Sequence, residues 1–288
     1  MRSTRSGFRW RDVPKIDVHA HVVLHERPDT DLVLNTPDQM LAVMDEHRVE
    51  QAVVLPINYP AYFPLTEERQ RDWLPANNDR QADLMRESAG RFVAFADCAV
   101  GETYAAERVL AELERAVGEL GLCGLKVHPS NLKVPADDPQ LVPIVRAAAR
   151  LGIPIVFHSN PCAYDRPFDL SAPARVYELL TACDLAEKLP VVIAHLGGFS
   201  FHEVLGGYGY VDFSGTLLSM CELYGTAFAE RLLRAIGLDR VLFGTDYPIH
   251  PYGRYYAVLD RMRFTPAEVE RIAFGNASRL LGERRSST

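Results

Sequence analysis

The feature that most constrains the fold of this chain is a regular alternation of short apolar runs with longer segments of helical pattern. Eight runs have the length and the Val/Ile/Leu content of buried strands, and they cover residues 15–19, 51–55, 92–97, 124–128, 153–158, 191–195, 210–214 and 241–245. Apolar strands separated by helices predict a parallel sheet that is covered on both faces. Eight such units within about 250 residues predict an α/β fold, a single-domain (β/α)8 TIM barrel.

A doubly wound open sheet is the alternative architecture for this pattern. It would carry a glycine-rich phosphate-binding turn after the first strand, but His19, Ala20 and His21 occupy that place. The sequence therefore favours the barrel. We assign it residues 14–282, with an N-terminal extension over 1–13 and a tail over 283–288.

The segments between the predicted strands have the periodicity and end signals of helices. They cover residues 37–47, 77–88, 104–120, 139–151, 173–186, 201–206, 226–236 and 252–263. Two connections, 56–75 and 160–171, are long enough to be lids or binding loops over a site. We expect both to lie at the end of the barrel where the strands finish, because each follows a predicted strand.

Composition excludes several classes of function. The formal net charge is -7, and no cluster of Lys and Arg is present, so nucleic acid is not the expected partner. No apolar run is long enough for a signal sequence or a membrane span. The five cysteines are widely spaced and never form a C-x-x-C pair. This pattern indicates reduced thiols, and we expect a soluble protein of the cytoplasm.

Two histidines near the N-terminus mark the first candidate site. His19 and His21 are two residues apart, so in a regular strand their side chains point to the same side. Neutral imidazole is a common ligand of zinc, iron, nickel and copper. The pair by itself leaves two interpretations open, half of a metal site or two hydrogen-bonded histidines in a core.

Polar residues at the ends of other predicted strands favour the metal site. Five of the eight runs carry a histidine, a lysine or an acid at or just beyond the carboxyl end, which is where barrels build active sites. These residues are His19 and His21, Lys126 and His128, His158, His195, and Asp246. Each is costly to bury without a partner, and a metal would supply one.

Five short motifs resemble the signature series of the amidohydrolase superfamily. They are DVHAH at 17–21, GLKVHP at 124–129, VFH at 156–158, AHLGG at 194–198 and FGTDYP at 243–248. More narrowly, they are similar to the amidohydrolase-related branch, which includes aminocarboxymuconate semialdehyde decarboxylases, resorcylate-type decarboxylases and pyrone-dicarboxylate lactonase. AFGNASRLL at 273–281 also resembles the last helix of that branch.

The resemblance implies one divalent metal, held by His19 and His21 from the first strand, His158 from the fifth and Asp246 from the eighth. It also places His195 beside the metal-bound water or a substrate oxygen. Zinc is the default ion for His and Asp ligands, and manganese or iron would accept the same set.

Three functions are compatible with these residues. The first expectation is a metal-dependent hydrolase of an amide, ester or lactone of a small organic acid, with Asp246 as base and His195 as electrophilic helper. The alternative is a metal-dependent non-oxidative decarboxylase of an aromatic or unsaturated carboxylic acid, which would use the same residues. The third is a barrel that has lost its chemistry and acts as a binding protein.

The remaining candidates concern a second metal or the substrate. Lys126 resembles the lysine that is carboxylated and bridges two metals in binuclear members of the superfamily, but a cationic lysine would instead bind a substrate carboxylate. His128 is either a substrate contact or a hydrogen-bonded histidine at a strand end. Four further candidates for binding a small carboxylate substrate are Tyr164, Arg166, His250 and Arg254. A homodimer is also possible, since aromatic clusters often mark interfaces.

Overall fold

The computed structural model describes residues 9–23, 34–56, 67–161 and 169–282 of the chain. Each of the eight predicted strands is present in this part. The strands are β1 (Lys15–Ala20), β2 (Val49–Val54), β3 (Phe92–Ala94), β4 (Leu125–Val127), β5 (Ile155–Phe157), β6 (Val191–Ile193), β7 (Tyr210–Asp212) and β8 (Val241–Leu242).

The strands form a closed barrel. All neighbours pair in parallel and in sequence order, as a three-stranded sheet β1-β2-β3 and a five-stranded sheet β4-β5-β6-β7-β8. Backbone hydrogen bonds join the two sheets at both seams, from Ala96 N to Gly124 O (2.7 Å) and from Val18 N to Phe243 O (2.9 Å). The predicted TIM barrel is confirmed.

Helices surround the strands. The first six are α1 (Pro37–Glu46), α2 (Glu67–Glu87), α3 (Ala106–Gly118), α4 (Pro129–Leu132), α5 (Leu141–Arg150) and α6 (Pro173–Ala182). The next six are α7 (Phe201–Leu205), α8 (Thr216–Tyr224), α9 (Thr226–Ile236), α10 (Tyr252–Leu259), α11 (Pro266–Glu270) and α12 (Asn276–Gly282). Each predicted helix overlaps one of these.

The structure differs from the prediction in helices α2 and α8. Helix α2 begins at Glu67, so residues 67–75 are helical and not part of a loop. Its first turns consist of good helix formers without an apolar stripe, and Pro75 stands within it, so neither periodicity nor the proline rule reveals it. Helix α8 was not predicted, because it is apolar almost throughout and lacks a polar face.

Local signals set helix starts as expected. Thr36 begins α1 with a capping box, in which its hydroxyl accepts from Gln39 N (3.2 Å) and the Gln39 side chain accepts from Thr36 N (2.8 Å). Thr265 and Glu268 form the same arrangement at α11. In both cases a proline follows the cap, where its missing N–H costs nothing.

Apolar side chains fill the inside of the barrel. Ile16, Val18, Val156, Val192 and Leu242 belong to one buried cluster, which is the packed interior expected of this fold. Ala277 and Leu280 of α12 pack against the same cluster. These apolar side chains pack the interior, and the polar side chains of the candidate site lie towards the carboxyl ends of the strands.

The segment before β1 packs onto the barrel. Residues Trp10–Asp12 form one 3₁₀ turn, and Trp10 is buried. The Trp10 ring stacks on Phe243, with centroids 6.3 Å apart, and the backbone N–H of Trp10 donates to Asp260 Oδ1 (2.9 Å). At least this part of the predicted N-terminal extension is therefore attached to the barrel by aromatic contacts.

Two further observations bear on the chain's environment. No helix in the described residues combines the length and the apolar character needed to cross a bilayer. Among the described residues, Cys98, Cys123, Cys183 and Cys221 form no disulfide.

Candidate active site at the carboxyl end of the barrel

Three predicted metal ligands meet where the first and last strands close the barrel. His19, His21 and Asp246 each offer a ligand atom, and these atoms lie within 4.8 Å of one another. Asp246 Oδ1 is 3.0 Å from His21 Nε2 and 3.6 Å from His19 Nε2. The seam itself positions them, because Asp246 N donates to the carbonyl of His19 (2.7 Å).

The outer nitrogens of both histidines are already engaged. His21 Nδ1 lies 2.8 Å from the carbonyl oxygen of Leu55, and His19 Nδ1 lies 3.0 Å from Asp212 Oδ2. Both acceptors require a protonated Nδ1, so the neutral rings carry their lone pairs on Nε2. Those lone pairs face an oxygen of Asp246, and a cation between them removes the repulsion. The donor set therefore fits a divalent metal, with oriented outer partners of the usual kind.

Asp212 is a site residue that our sequence analysis missed. It ends β7, and its Oδ1 accepts from Ser214 N (3.0 Å), from His195 N (3.2 Å) and from the Ser214 hydroxyl. Burial alone would raise the pKa of Asp212, but His19 and the donors around it hold the pKa well below its usual value. A signal was available, since Asp212 is an acid within the predicted strand 210–214.

A second group of possible ligand atoms, from His19, His195 and Asp212, also lies within 4.8 Å. In this group the nitrogen of His19 that faces Asp212 is a hydrogen-bond donor. A donor cannot at the same time offer a lone pair to a metal. We therefore interpret Asp212 as the residue that orients His19 and not as a ligand.

The other two predicted histidines form a chain next to this centre. His195 Nδ1 lies 2.8 Å from Ser214 Oγ, and His195 Nε2 lies 3.1 Å from His158 Nδ1. The ring of His158 in turn stacks on His128, with centroids 3.7 Å apart and planes 10° from parallel. The structure thus brings His158 next to the metal ligands through His195, outside the compact trio.

Burial keeps the imidazoles of His19 and His158 neutral. Desolvation, followed by the charge of Lys126, lowers the pKa of His19 to about 4. Desolvation and the charges of His128 and His195 lower the pKa of His158 well below its usual range. Neutral imidazole is the form that binds metals.

Asp17 joins the first and last strands behind the site. Its Oδ1 accepts from the backbone N–H groups of His19 (3.0 Å) and Thr245 (3.1 Å). Its Oδ2 accepts from the Thr245 hydroxyl and from Tyr252 OH (2.8 Å), which belongs to α10. Burial raises the pKa of Asp17 to about 7, against the lowering effect of these hydrogen bonds. Asp17 thus fixes His19 and the residue before Asp246 relative to each other.

One glycine allows the close approach of these elements. A Cβ atom at Gly244 would lie 2.9 Å from the Cβ of Asp212 and 3.2 Å from the Cβ of His19. The first distance is too short for real carbon atoms, and both neighbours are themselves fixed. Gly244 is therefore needed for β1, β7 and β8 to bring their polar residues together.

The predicted substrate contacts fall in different environments. Lys126 is buried. His250 is half-buried and lies across Gly215 from His195, because a Cβ at Gly215 would be 3.3 Å from the former and 3.9 Å from the latter. Arg254 is exposed in the first turn of α10. Tyr164 and Arg166 lie outside the described residues.

The chain belongs to the amidohydrolase family, whose model matches residues 16–282. This match covers all eight strands and every residue of the site described above. The resemblance stated from the sequence motifs is therefore confirmed. The class of protein is an amidohydrolase-type TIM-barrel enzyme.

The individual relatives are decarboxylases. A gamma-resorcylate decarboxylase of Rhodococcus jostii is 31% identical over 301 residues, which span 86% of this chain and 88% of the relative. A dihydroxybenzoic acid decarboxylase of Polaromonas sp., solved with manganese and 2-nitroresorcinol, superimposes with a TM-score of 0.72 at 22% identity, over 95% of this chain and 98% of that one. A 2,6-dihydroxybenzoate decarboxylase solved with 2,6-dihydroxybenzoate gives a TM-score of 0.71 at 20% identity, over 93% and 99%. These relatives favour the decarboxylase alternative over the hydrolase expected first.

Proposed function

We propose that this protein is a metal-dependent non-oxidative decarboxylase of a hydroxylated aromatic carboxylic acid. The observation that carries the reaction type is the relative from Rhodococcus jostii, which is similar over nearly the whole chain. The geometry supports a metal-dependent reaction, since the ligand trio and its outer partners are complete. Fold and ligands alone serve hydrolysis equally well, so the relatives decide between the two reactions.

In this proposal His19, His21, His158 and Asp246 hold one divalent cation. Manganese is the first ion to test, because it is bound in the similar Polaromonas structure, and zinc follows from the ligand chemistry. When bound, the cation withdraws electron density from the substrate oxygens that it holds.

The reaction replaces a carboxylate on a ring carbon by hydrogen. The carbon–carbon bond breaks, carbon dioxide leaves, and the electron pair that stays on the ring carbon takes a proton. We assign the delivery of this proton to Asp246, which would take it up from solvent or from a hydroxyl group of the substrate and pass it to the ring carbon. The side chain of Asp246 is 13% exposed, whereas that of Asp212 is 0% exposed. His195 lies near Asp246, and Ser214 contacts its Nδ1. In this proposal His195 stabilises the charge that develops on the substrate.

Further properties of the protein belong to the same proposal. The substrate is a small carboxylate. We also propose a location in the cytoplasm, because the four described cysteines form no disulfide and the cytoplasm is reducing. His250 and Arg254 stay candidate substrate contacts, together with Tyr164 and Arg166. A homodimer is a separate expectation, which size-exclusion chromatography with light scattering would test.

Product analysis tests the reaction. The purified protein is loaded with manganese or zinc, and 2,6-dihydroxybenzoate is supplied alongside a panel of lactones, esters and amides of small organic acids. Other hydroxybenzoates are supplied in the same way. We expect carbon dioxide and the corresponding phenol in equal amounts, which is resorcinol in the case of 2,6-dihydroxybenzoate. Hydrolysis of a panel member, with no decarboxylation of any hydroxybenzoate, would reject the proposal in favour of the hydrolase.

A further inference from the structure

Lys126 carries a buried ammonium group for which the described residues provide no hydrogen-bond acceptor. Its side chain is 1% exposed, and its Nζ has no partner within the described parts of the chain. An ionic donor left unpaired in the interior costs several kcal/mol, which is about the largest penalty that a single polar group imposes. Packing alone therefore does not explain a lysine at this position, and a functional role would.

The acids near Lys126 offer its charge a favourable field but direct their hydrogen bonds elsewhere. Asp97, Asp212 and Asp246 each raise the pKa of Lys126, although burial dominates and lowers it to about 8. The oxygens of Asp97 accept from Asn77 Nδ2 (2.8 Å) and Cys98 N (2.8 Å). Those of Asp212 are engaged by the donors described above, so the described residues leave Lys126 Nζ available to an acceptor from a bound ligand.

Strand geometry directs Lys126 into the barrel. In the β4–β5 ladder Lys126 is the partner of Val156, so the two side chains share a face. Val156 belongs to the cluster that fills the interior. Two residues further along the same strands come His128 and His158, the stacked pair beside the metal ligands. Lys126 therefore lies on the inner face, just below the candidate active site.

We propose that Lys126 binds the carboxylate of the substrate and so selects acids over neutral molecules of the same shape. An ammonium group is a compact point charge that suits a carboxylate oxygen, and the interior around it strengthens such a contact. The choice of a carboxylate rests on the proposed function. The contact itself requires only an anionic ligand, so it can be tested separately from the reaction.

Two other roles for Lys126 make different predictions. A carboxylated Lys126 that bridges two metals would make the metal content depend on this residue. A purely structural Lys126 would contribute to stability and would not affect the binding of ligands. Removing the charge distinguishes all three roles.

The experiment compares Lys126→Met with the control Lys188→Met, whose lysine side chain is 61% exposed. Calorimetric titration of the manganese-loaded proteins uses benzoate and benzyl alcohol, which have the same carbon skeleton and are substrates of neither decarboxylation nor hydrolysis. We expect Lys126→Met to weaken benzoate at least about tenfold and benzyl alcohol less than about twofold, a ratio that corresponds to one charged contact. Metal content should stay unchanged, and the melting temperature should stay the same or rise.

Three results would overturn the inference. Equal benzoate affinity in wild type and Lys126→Met would show a structural role. A fall from two metal equivalents to one would show a carboxylated bridge. A wild-type protein that binds benzoate no better than benzyl alcohol would show that the site does not select anions. Selective benzoate binding without decarboxylation of hydroxybenzoates would reject the proposed reaction alone, and decarboxylation with an unaffected Lys126→Met would reject the inference alone.

Discussion

Two buried lysines near opposite ends of the barrel differ in how their ammonium groups are bonded. Lys15, at the start of β1, is 0% exposed, and its Nζ donates to the carbonyls of Val13 (2.5 Å) and His47 (2.7 Å). Lys126, in β4, is 1% exposed and has no such acceptor in the described residues. At the end of the barrel where the strands begin (the closed end), the ammonium group of Lys15 joins chain segments. Near the end where the strands finish (the open end), the ammonium group of Lys126 is available for a ligand.

The largest effect should come from a substitution at the open end. Asp246→Asn removes an anionic ligand and the proposed proton carrier, so we expect turnover to fall by at least about 1,000-fold. The fold should persist, because the contacts of the Asp246 backbone are unchanged. Turnover and thermal unfolding are measured together.

The control for this change is Asp184→Asn. The side chain of Asp184 is 94% exposed after α6, and the substitution should leave turnover at the wild-type level. An Asp246→Asn protein that is folded and as active as wild type would contradict the proposed role of the carboxylate.

The next effect concerns the residue that orients a ligand. Asp212→Asn keeps the shape of the side chain but weakens the acceptor for His19 Nδ1, so metal affinity should fall about 10- to 100-fold. Competition with a metal-binding dye measures this affinity. Ser214→Ala, which removes one donor to Asp212, should have a smaller effect. Equal metal affinity in Asp212→Asn and wild type would show that His19 does not depend on this contact.

A substitution of Lys15, at the closed end, should lower the stability of the protein and leave its activity unchanged. Lys15→Met leaves the carbonyls of Val13 and His47 without their donor, so we expect the free energy of unfolding to fall by about 2 kcal/mol. Urea titration measures it. The activity of the folded protein should be retained, since Lys15 lies away from the site. A loss of activity without a loss of stability in Lys15→Met would contradict the structural role of Lys15, and with it the difference between Lys15 and Lys126.

The smallest effect sets the scale for exposed charges. Arg234, followed by the donors of Thr265, lowers the pKa of Glu268 to about 2. A carboxyl whose pKa is lower in the folded state than in the unfolded state stabilises the fold above its unfolded pKa and loses this contribution as the pH falls. Stability due to Glu268 should therefore decline between about pH 4.5 and pH 2.

The pair is partly exposed, so the contribution should be below about 1 kcal/mol. Urea titrations of Glu268→Gln and wild type at several pH values measure it, and the two curves should converge at the acid end. A difference that persists unchanged at pH 2 would show that the contribution does not come from ionisation.

Much of this fold and site follows from local patterns. The strands could be predicted because most of their side chains are apolar, and the trio His19, His21 and Asp246 because each lies at or just beyond the carboxyl end of a predicted strand. Asp212 lies inside the predicted strand 210–214 but ends the observed β7, and an acid in such a strand could have been included. The hydrolase was expected first because the ligand set alone does not specify a reaction, and the relatives favour the decarboxylase.

The features that could not be predicted from the sequence depend on backbone groups that are far away along the chain. An acceptor of Lys15 is the carbonyl of His47, 32 residues away, and no periodicity reveals such a bond. His47 itself is half-buried beside the rings of Tyr252 and Tyr256, which are more than 200 residues away in sequence. The difference between the bonded and the unbonded lysine is therefore visible only in three dimensions.

The seam between β1 and β8 has a consequence for how the protein is made. His21 and Asp246 are 225 residues apart in sequence, and both belong to the proposed metal site. Before the last strand is synthesised, a growing chain holds only the histidines of this set, and the loop that must close is nearly the whole protein. We therefore expect the metal to bind late in biosynthesis, after the first and last strands have paired.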